Sequence, residues 1–469
     1  MLNAFYGDDF TGTMATAENF MLSGVPAIVF TKPPGLDTVR RSFPSLEAVG
    51  IAGVARTLSG DELAREVGQA FEVMGSYGAE SYLYKVCSTF DSSPQAGNIG
   101  RAIELAMTRF EPAFAAVLAA APRLGRYVAF GNLFAAVGKG EIYRLDRHPS
   151  LPFHPVTPMT EADLRIHLSR QADLPCGLVT LVDVERGRAF IHRALDRELS
   201  SGRRVVFFDC VTETHRDRIC QAVLEASPGA AFFVGAHEVP LGLAAARRGP
   251  GVAPSRPLVR PVRSRGRNRM PLLVLSGSCS DITGEQIRWA ASHGYASVAV
   301  DTAEIVKVAD SAPESRRVVA EASSALSAGR PVIVHTALGS RDARVERVRS
   351  RTGETGPADM SIDARIGTFL GEVARKLLAD TGIRRVVVAG GDTAGRVQGV
   401  LGIEALQIAA SLPDPAPLSY AYSGKPEVNG IEIAFKGGQV GEPDYFETIR
   451  SLEIAPFGQA ALGRPAGTS

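Results

Sequence analysis

Short apolar runs alternate along the whole chain with stretches in which apolar residues recur at helical spacing. Residues 3–7, 26–30, 49–54, 81–86, 115–120 and 127–130 read as short strands buried on both faces, as do 178–182, 204–208 and 231–234. After the first run, Met14, Ala17, Phe20 and Met21 mark a helix; after the third, Leu63, Val67, Ala70, Phe71 and Met74 mark an amphipathic one. This alternation predicts a doubly wound, layered α/β domain. The rhythm stops between residues 247 and 270, where eight arginines and four prolines occur without one acidic residue, a composition too poor in core-forming residues to pack by itself. It resumes with runs at 272–275, 298–300, 332–334, 386–389 and 431–434, and a long helix is expected over 362–378. The expected organisation is an N-terminal domain over 1–246, an Arg/Pro-rich linker over 247–270 and a C-terminal domain over 271–469: two doubly wound α/β domains with a cleft between them. The polar stretch 341–357 reads as mobile surface.

The length of 469 residues supports two or three domains. Charge acts by exclusion. Lys plus Arg number 51 against 50 for Asp plus Glu, a formal net charge of +1, so nothing draws the chain to nucleic acid or to an acidic membrane surface. The Arg-rich stretch lacks interleaved aromatic residues, which disfavours a nucleic-acid arm. Cys87, Cys176, Cys210, Cys220 and Cys279 are odd in number and scattered, as reduced thiols in a cytosol would be. The strongest apolar run, 113–121, is far short of the roughly 20 residues a membrane helix needs. The expectation is a cytoplasmic protein whose partner is a small molecule.

The first apolar run ends at two adjacent carboxylates, Asp8 and Asp9, and a helix follows. In an open α/β sheet, residues at the carboxyl end of a strand line the crevice where ligands bind. One Asp can cap the helix; the other is free to accept a proton from a hydroxyl or to hold a polyol. Arg56 follows another strand and can grip a carboxylate through two parallel hydrogen bonds, unless it merely pairs with a helix acid at the surface. Lys85, late in a buried strand, requires an anion, supplied by a ligand or by Asp91. The hydroxyls of Ser88 and Thr89 come directly after it. Gly97-Asn98-Ile99-Gly100 opens a helix whose free N–H groups could hold anionic oxygen. Asn132 follows the run 127–130, and a proline-rich segment presents His154 and Thr157 as a pocket wall or serves as a stiff connector.

Three strand-to-glycine turns occur in the C-terminal half: Ser276-Gly277-Ser278-Cys279-Ser280, Gly390-Gly391-Asp392-Thr393 and Lys436-Gly437-Gly438. Small residues there let the backbone approach a phosphate, and three such turns in one domain point to a nucleotide site. The dinucleotide fingerprint is absent, because Asp392 occupies the place of its second glycine, and Leu133 and Gly140 break the P-loop pattern around Gly138-Lys139.

Together with Asp8-Asp9-Phe10-Thr11-Gly12, Lys85 with Ser88-Thr89-Phe90-Asp91-Ser92, Gly97-Asn98-Ile99-Gly100 and His154-Pro155-Val156-Thr157-Pro158-Met159, these turns resemble the four-carbon acid sugar kinase family. The resemblance covers nearly the whole chain and is greatest to the 3-oxo-tetronate kinase branch. It implies an acid-sugar-binding N-terminal domain, an ATP-binding C-terminal domain and phosphorylation of the terminal 4-hydroxyl of 3-oxo-tetronate. D-threonate, L-threonate and D-erythronate are the alternative acids, and a non-catalytic sensor of an acid metabolite and nucleotide is the rival from another class. Asp8 and Asp9 would bind the hydroxyls, one of them as base, Arg56 and Lys85 would hold the carboxylate, and Ser88 and Thr89 would order the hydroxyls, with Asn132, His154 and Thr157 completing the sugar site. Ser276, Gly277, Ser278, Gly390, Gly391, Asp392, Thr393, Lys436, Gly437 and Gly438 would hold ATP, with Mg²⁺ offsetting phosphate charge. Closure about the linker would then assemble the site. A homodimer is left open. The chain departs from the family pattern at Tyr6-Gly7, at Asp392, where Glu is common, and at Gly437, where Ser is frequent.

Overall fold

A computed structural model describes residues 2–137, 140–153, 157–248, 256–259, 270–307, 312–351, 362–412 and 416–454. The chain divides into two units, Met1–Leu258 and Val259–Ala460. The strands of the first are β1 (Asn3–Gly7), β2 (Ala27–Phe30), β3 (Ala48–Ala52), β4 (Ser81–Lys85), β5 (Ala115–Leu118), β6 (Arg126–Ala129), β7 (Asn132–Ala136), β8 (Ile142–Arg144), β9 (Cys176–Val179), β10 (Val205–Phe208) and β11 (Ala231–Gly235). Its main sheet is parallel throughout, in the order β2-β3-β1-β4-β11-β5-β10-β9. Strands β3 and β4, consecutive in the chain, lie on opposite sides of β1. The direction of winding therefore reverses at β1, and a ligand crevice is expected beyond its carboxyl end. Gly7 pairs with Ala52 on one side and Lys85 on the other, so the three strands end level.

All five residues of β1 are buried, as a central parallel strand requires. Tyr6 stacks on Tyr84 at 5.9 Å and Phe71 meets both rings edge-on, anchoring β1 just before the acids. Helix Gly60–Gly75 buries the five residues expected, Leu63, Val67, Ala70, Phe71 and Met74. Helix Phe10–Leu22 differs from a one-sided helix: it is buried without interruption from Thr13 to Met21, including Glu18 and Asn19. Strands β6, β7 and β8 form a separate antiparallel sheet, of which the apolar pattern disclosed only the first strand. Arg247, grouped with the linker by composition, belongs to helix Val239–Arg248 and donates to Asn3 Oδ1 at 2.7 Å. Most of the Arg/Pro-rich stretch lies outside the described residues.

The second unit contains β12 (Leu273–Ser276), β13 (Ala296–Ala299), β14 (Val332–His335), β15 (Arg385–Ala389), β16 (Ile403–Ala410), β17 (Leu418–Ser423) and β18 (Glu432–Lys436). Strands β13-β14-β12-β15-β18 are parallel, while β17 runs antiparallel to β18 and β16 antiparallel to β17. Ser276 pairs with both His335 and Ala389, and Ala389 with Lys436. Four strands thus end level, and Gly277, Thr336, Gly390 and Gly437 are each the first residue beyond. Within the stretch read as mobile surface, 341–357, Ala343–Arg351 is a helix, with Asp342 Oδ1 accepting from the Arg344 N–H at 2.9 Å, and residues 352–357 lie outside the described residues. Among the described residues no helix is long and apolar enough to cross a membrane.

Candidate active site

In the first unit, main-chain hydrogen bonds stitch three strand ends together: the Asp8 N–H donates to Lys85 O and the Arg56 N–H to Asp8 O, both at 3.0 Å. The side chains converge as a result. Arg56 grips Asp8 side-on, Nε to Oδ2 at 3.0 Å and Nη2 to Oδ1 at 2.8 Å, and Nη2 also reaches Asp9 Oδ1 at 2.7 Å. Lys85 Nζ donates to Asp9 Oδ1 at 2.6 Å and lies 3.4 Å from Asp8 Oδ1. Asp9 also caps helix Phe10–Leu22, its Oδ2 accepting from the Gly12 N–H at 3.1 Å. Gly12 has to lack a side chain, because a Cβ there would fall 1.6 Å from Lys85 Nζ. The two acids differ in access: the side chain of Asp8 is 3% exposed and that of Asp9 26%.

Burial and charge separate them further. At Asp8, burial raises the pKa above its ordinary value by more than Arg56 and Lys85 lower it. At Asp9, burial also pushes upward, but Lys85 and Arg56 outweigh it and hold the carboxyl well below the usual carboxylate range. Both cations are lowered by burial and raised more by the acids, so Lys85 and Arg56 stay protonated. The two-pronged guanidinium contact favours the ionised form of Asp8 and so opposes the effect of its burial.

The pairing of Lys85 with Asp91 weighed from sequence does not occur; its acids are Asp8 and Asp9. Arg56 is likewise no surface arginine. Thr89 Oγ1 lies 2.9 Å from Cys87 Sγ, whose thiol burial pushes up to about 11, while the Ser88 hydroxyl makes no hydrogen bond among the described residues. The loop turns at Phe90, buried with φ of +58°, and Ser92 secures it by donating to Phe90 O at 2.9 Å. Such backbone strain persists where surrounding contacts over-determine it. Asn132 stands apart in β7, its Nδ2 donating to Phe130 O at 3.1 Å. Thr157 is buried, and His154 lies outside the described residues. The expectation of free N–H groups at Ile99 and Gly100 is corrected: Gln171 Oε1 accepts from both, at 2.8 and 3.4 Å, and Asn98 Oδ1 caps Arg101. Sequence gave no signal for Gln171, a residue 71 positions away.

In the second unit the level strand ends bring the three glycine turns together. A Cβ on Gly277 would lie 2.1 Å from Thr393 Oγ1, one on Gly438 2.6 Å from Ser278 Oγ, and one on Gly390 3.3 Å from Ser278 N. The backbones meet because side chains are absent. The hydroxyls of Ser276 and Ser280 are buried without a hydrogen-bond partner. Lys436 ends β18, is 1% exposed and donates to Thr283 Oγ1 at 3.0 Å. Two residues missed by sequence reasoning hold the last turn: Thr283 Oγ1 donates to Gly438 O at 2.8 Å, and Gln286 Nε2 to the carbonyls of Val440, Gly441 and Glu442. Both lie on helix Asp281–Ser292, where Trp289 stacks on His293 at 3.8 Å. Asp392 falls in the first turn of helix Gly391–Leu401. The cradle, with unsatisfied donors and a buried lysine, suits phosphate oxygens.

Residues 3–243 match the family model for a sugar-binding N-terminal domain and residues 273–446 that for a nucleotide-binding C-terminal domain. Over 458 residues the chain is 38% identical to a Paraburkholderia graminis protein named 3-oxo-isoapionate kinase, covering 97% of this chain and 95% of that one. It is 30% identical over 449 residues to a Cupriavidus necator 3-oxo-tetronate kinase, covering 95% and 96%. In fold it is similar to a Salmonella typhimurium chain solved as a tRNA synthase, with a TM-score of 0.77, 23% identity and coverage of 95% and 98%.

Proposed function

The chain belongs to the four-carbon acid sugar kinase family and is a sugar-acid kinase, and from that premise we propose that it transfers the γ-phosphoryl group of ATP to a terminal hydroxyl of a 3-oxo sugar acid. The 3-oxo group is common to the names of both relatives, and the more similar one argues for 3-oxo-isoapionate ahead of 3-oxo-tetronate. The observation that carries the mechanism is the division between the two acids. Asp8 is sealed against Arg56, whereas Asp9 reaches solvent at the carboxyl end of β1. Asp9 is the base. Its low pKa keeps it ionised, and it needs to accept the hydroxyl proton only as the oxygen–phosphorus bond forms, when that proton has become acidic. Lys85 and Arg56 aim its carboxylate, and Ser88 and Thr89 order the remaining hydroxyls.

The glycine turns, Ser276, Thr393 and Lys436 hold ATP, with main-chain N–H groups and one ammonium facing the phosphates. Mg²⁺ would offset phosphate charge. Bound with ATP, it would take phosphate oxygens and waters among its ligands.

The test is ADP release from Mg-ATP with 3-oxo-isoapionate, 3-oxo-tetronate, D- and L-threonate and D-erythronate. One 3-oxo acid should turn over, and Asp9→Asn should lower kcat by about 10²- to 10⁴-fold with the KM for ATP little changed. Turnover of threonate or erythronate alone would refute the 3-oxo assignment. An unimpaired Asp9→Asn enzyme would remove Asp9 as the base.

A further inference from the structure

Resting on the sugar-acid reading above, we infer that Arg126 is the residue that grips the substrate's carboxylate. A sugar acid is an anion at neutral pH, and the group at the end of β1 has no charge to spare for it. Two aspartates face two cations there, and Arg56 and Lys85 each lie within ion-pair distance of both acids. An arriving carboxylate would meet two others. Holding it away from water takes a cation that is not already spent.

Arg126 is such a cation. It opens β6 just beyond the end of β5, where its N–H and C=O pair with Ala121 at 3.1 and 3.0 Å. Nη1 donates to the carbonyls of Leu124, Gly125 and Ala136 at 3.1, 3.3 and 3.0 Å, which fixes the plane of the guanidinium. Among the described residues it has no ion pair; Nε is buried with no acceptor and Nη2 makes no hydrogen bond. Elsewhere in this chain the Nε–Nη2 edge is what arginines turn to acids: Arg56 to Asp8, Arg165 to Asp163 and Arg344 to Asp342. In Arg126 that edge has no acceptor among the described residues, and a carboxylate would satisfy it with two parallel bonds.

The position suits the substrate as well. Burial lowers the pKa of Arg126, countered only in part by Cys87 and Asp91, so its charge bears on the loop that follows Lys85; Asp91 is not in contact with it. His148 also feels that charge. Strands β4 and β5 flank β11, so their ends are roughly 10 Å apart, a gap that a short sugar acid and an arginine side chain can span.

The experiment compares wild type, Arg126→Met and Arg126→Lys, using Mg-ATP with whichever of 3-oxo-isoapionate and 3-oxo-tetronate turns over, and the primary amide of that acid. Arg126→Met should raise the KM for the acid by about 10- to 100-fold, with kcat and the KM for ATP little changed. The amide should cost wild type a similar factor and cost Arg126→Met nothing further. Arg126→Lys keeps the charge without the fork and should fall between. Thermal melting identifies a misfolded variant, and if Arg126→Met does not fold, the acid-to-amide ratio of Arg126→Lys decides. An acid-to-amide ratio equal in wild type and variants would overturn the inference and leave the kinase reading intact. No turnover of any acid by wild type would overturn both.

Discussion

Asp8 and Asp9 are neighbours in sequence to which the proposed mechanism gives different duties, and substitution should separate them. Asp8→Asn removes one half of a buried pair and leaves Arg56 under-compensated, so it should cost about 3 kcal/mol of stability, read as a lower urea midpoint. Asp9→Asn leaves Lys85 and Arg56 short of the charge they hold ionised, so it should cost stability as well and, unlike Asp8→Asn, remove turnover directly. Acid sensitivity above the carboxylate range comes from other residues. Burial, reinforced by nearby arginines, holds His167 and His335 neutral to about pH 4, whereas unfolded histidines titrate near 6.5. Between these values the unfolded chain binds more protons. The stabilisation is therefore complete above pH 6.5 and is lost as pH falls towards 4, on the order of 3 kcal/mol for each histidine. Urea titrations across that window should show the decline, and His335→Asn should flatten it. A midpoint independent of pH from 6.5 to 4 would contradict this account.

Elements, more than single residues, build the nucleotide cradle. Gly284 in helix Asp281–Ser292 packs so close to the chain at Leu338 that a Cβ would lie 2.3 Å from its carbonyl oxygen. Gly284→Ala should therefore push the helix outward, cost about 1–3 kcal/mol and, by withdrawing Thr283 and Gln286 from the last glycine turn, raise the KM for ATP. Steady-state kinetics with a melting curve check both effects. The strand ends of this cradle were legible in the sequence, because buried parallel strands are continuous apolar runs and the glycines that follow them break the pattern. The same holds for Asp8, Asp9 and Lys85, which interrupt or close such runs. What was not legible has a common physical cause. Gln171 at the turn of Ile99, Gln286 at the last glycine turn and Arg126 at the end of β5 are polar residues whose role is set by long-range packing, and no local period marks them. Strands β7 and β8 escaped for a related reason: they belong to a small, half-exposed sheet, which needs no long apolar run.

At the scale of the whole molecule, the residues proposed to hold the sugar acid lie in the first unit and those proposed to hold the phosphates in the second. Binding of the two substrates should therefore be separable by substitution. Lys436→Ala should weaken Mg-ATP binding at least 10-fold in calorimetry, the loss expected for a charge-assisted contact, while binding of the sugar acid persists. Asp9→Asn should show the reverse selectivity. Loss of both affinities in either variant would contradict the assignment. The stacked indole of Trp289 has a practical consequence here. It is the chain's single tryptophan, and it sits on the helix that clamps the last glycine turn. The enzyme thus carries its one tryptophan beside the proposed nucleotide cradle, and if ATP binds there, its occupancy should be readable as a change in tryptophan emission, without label, coupling enzyme or turnover.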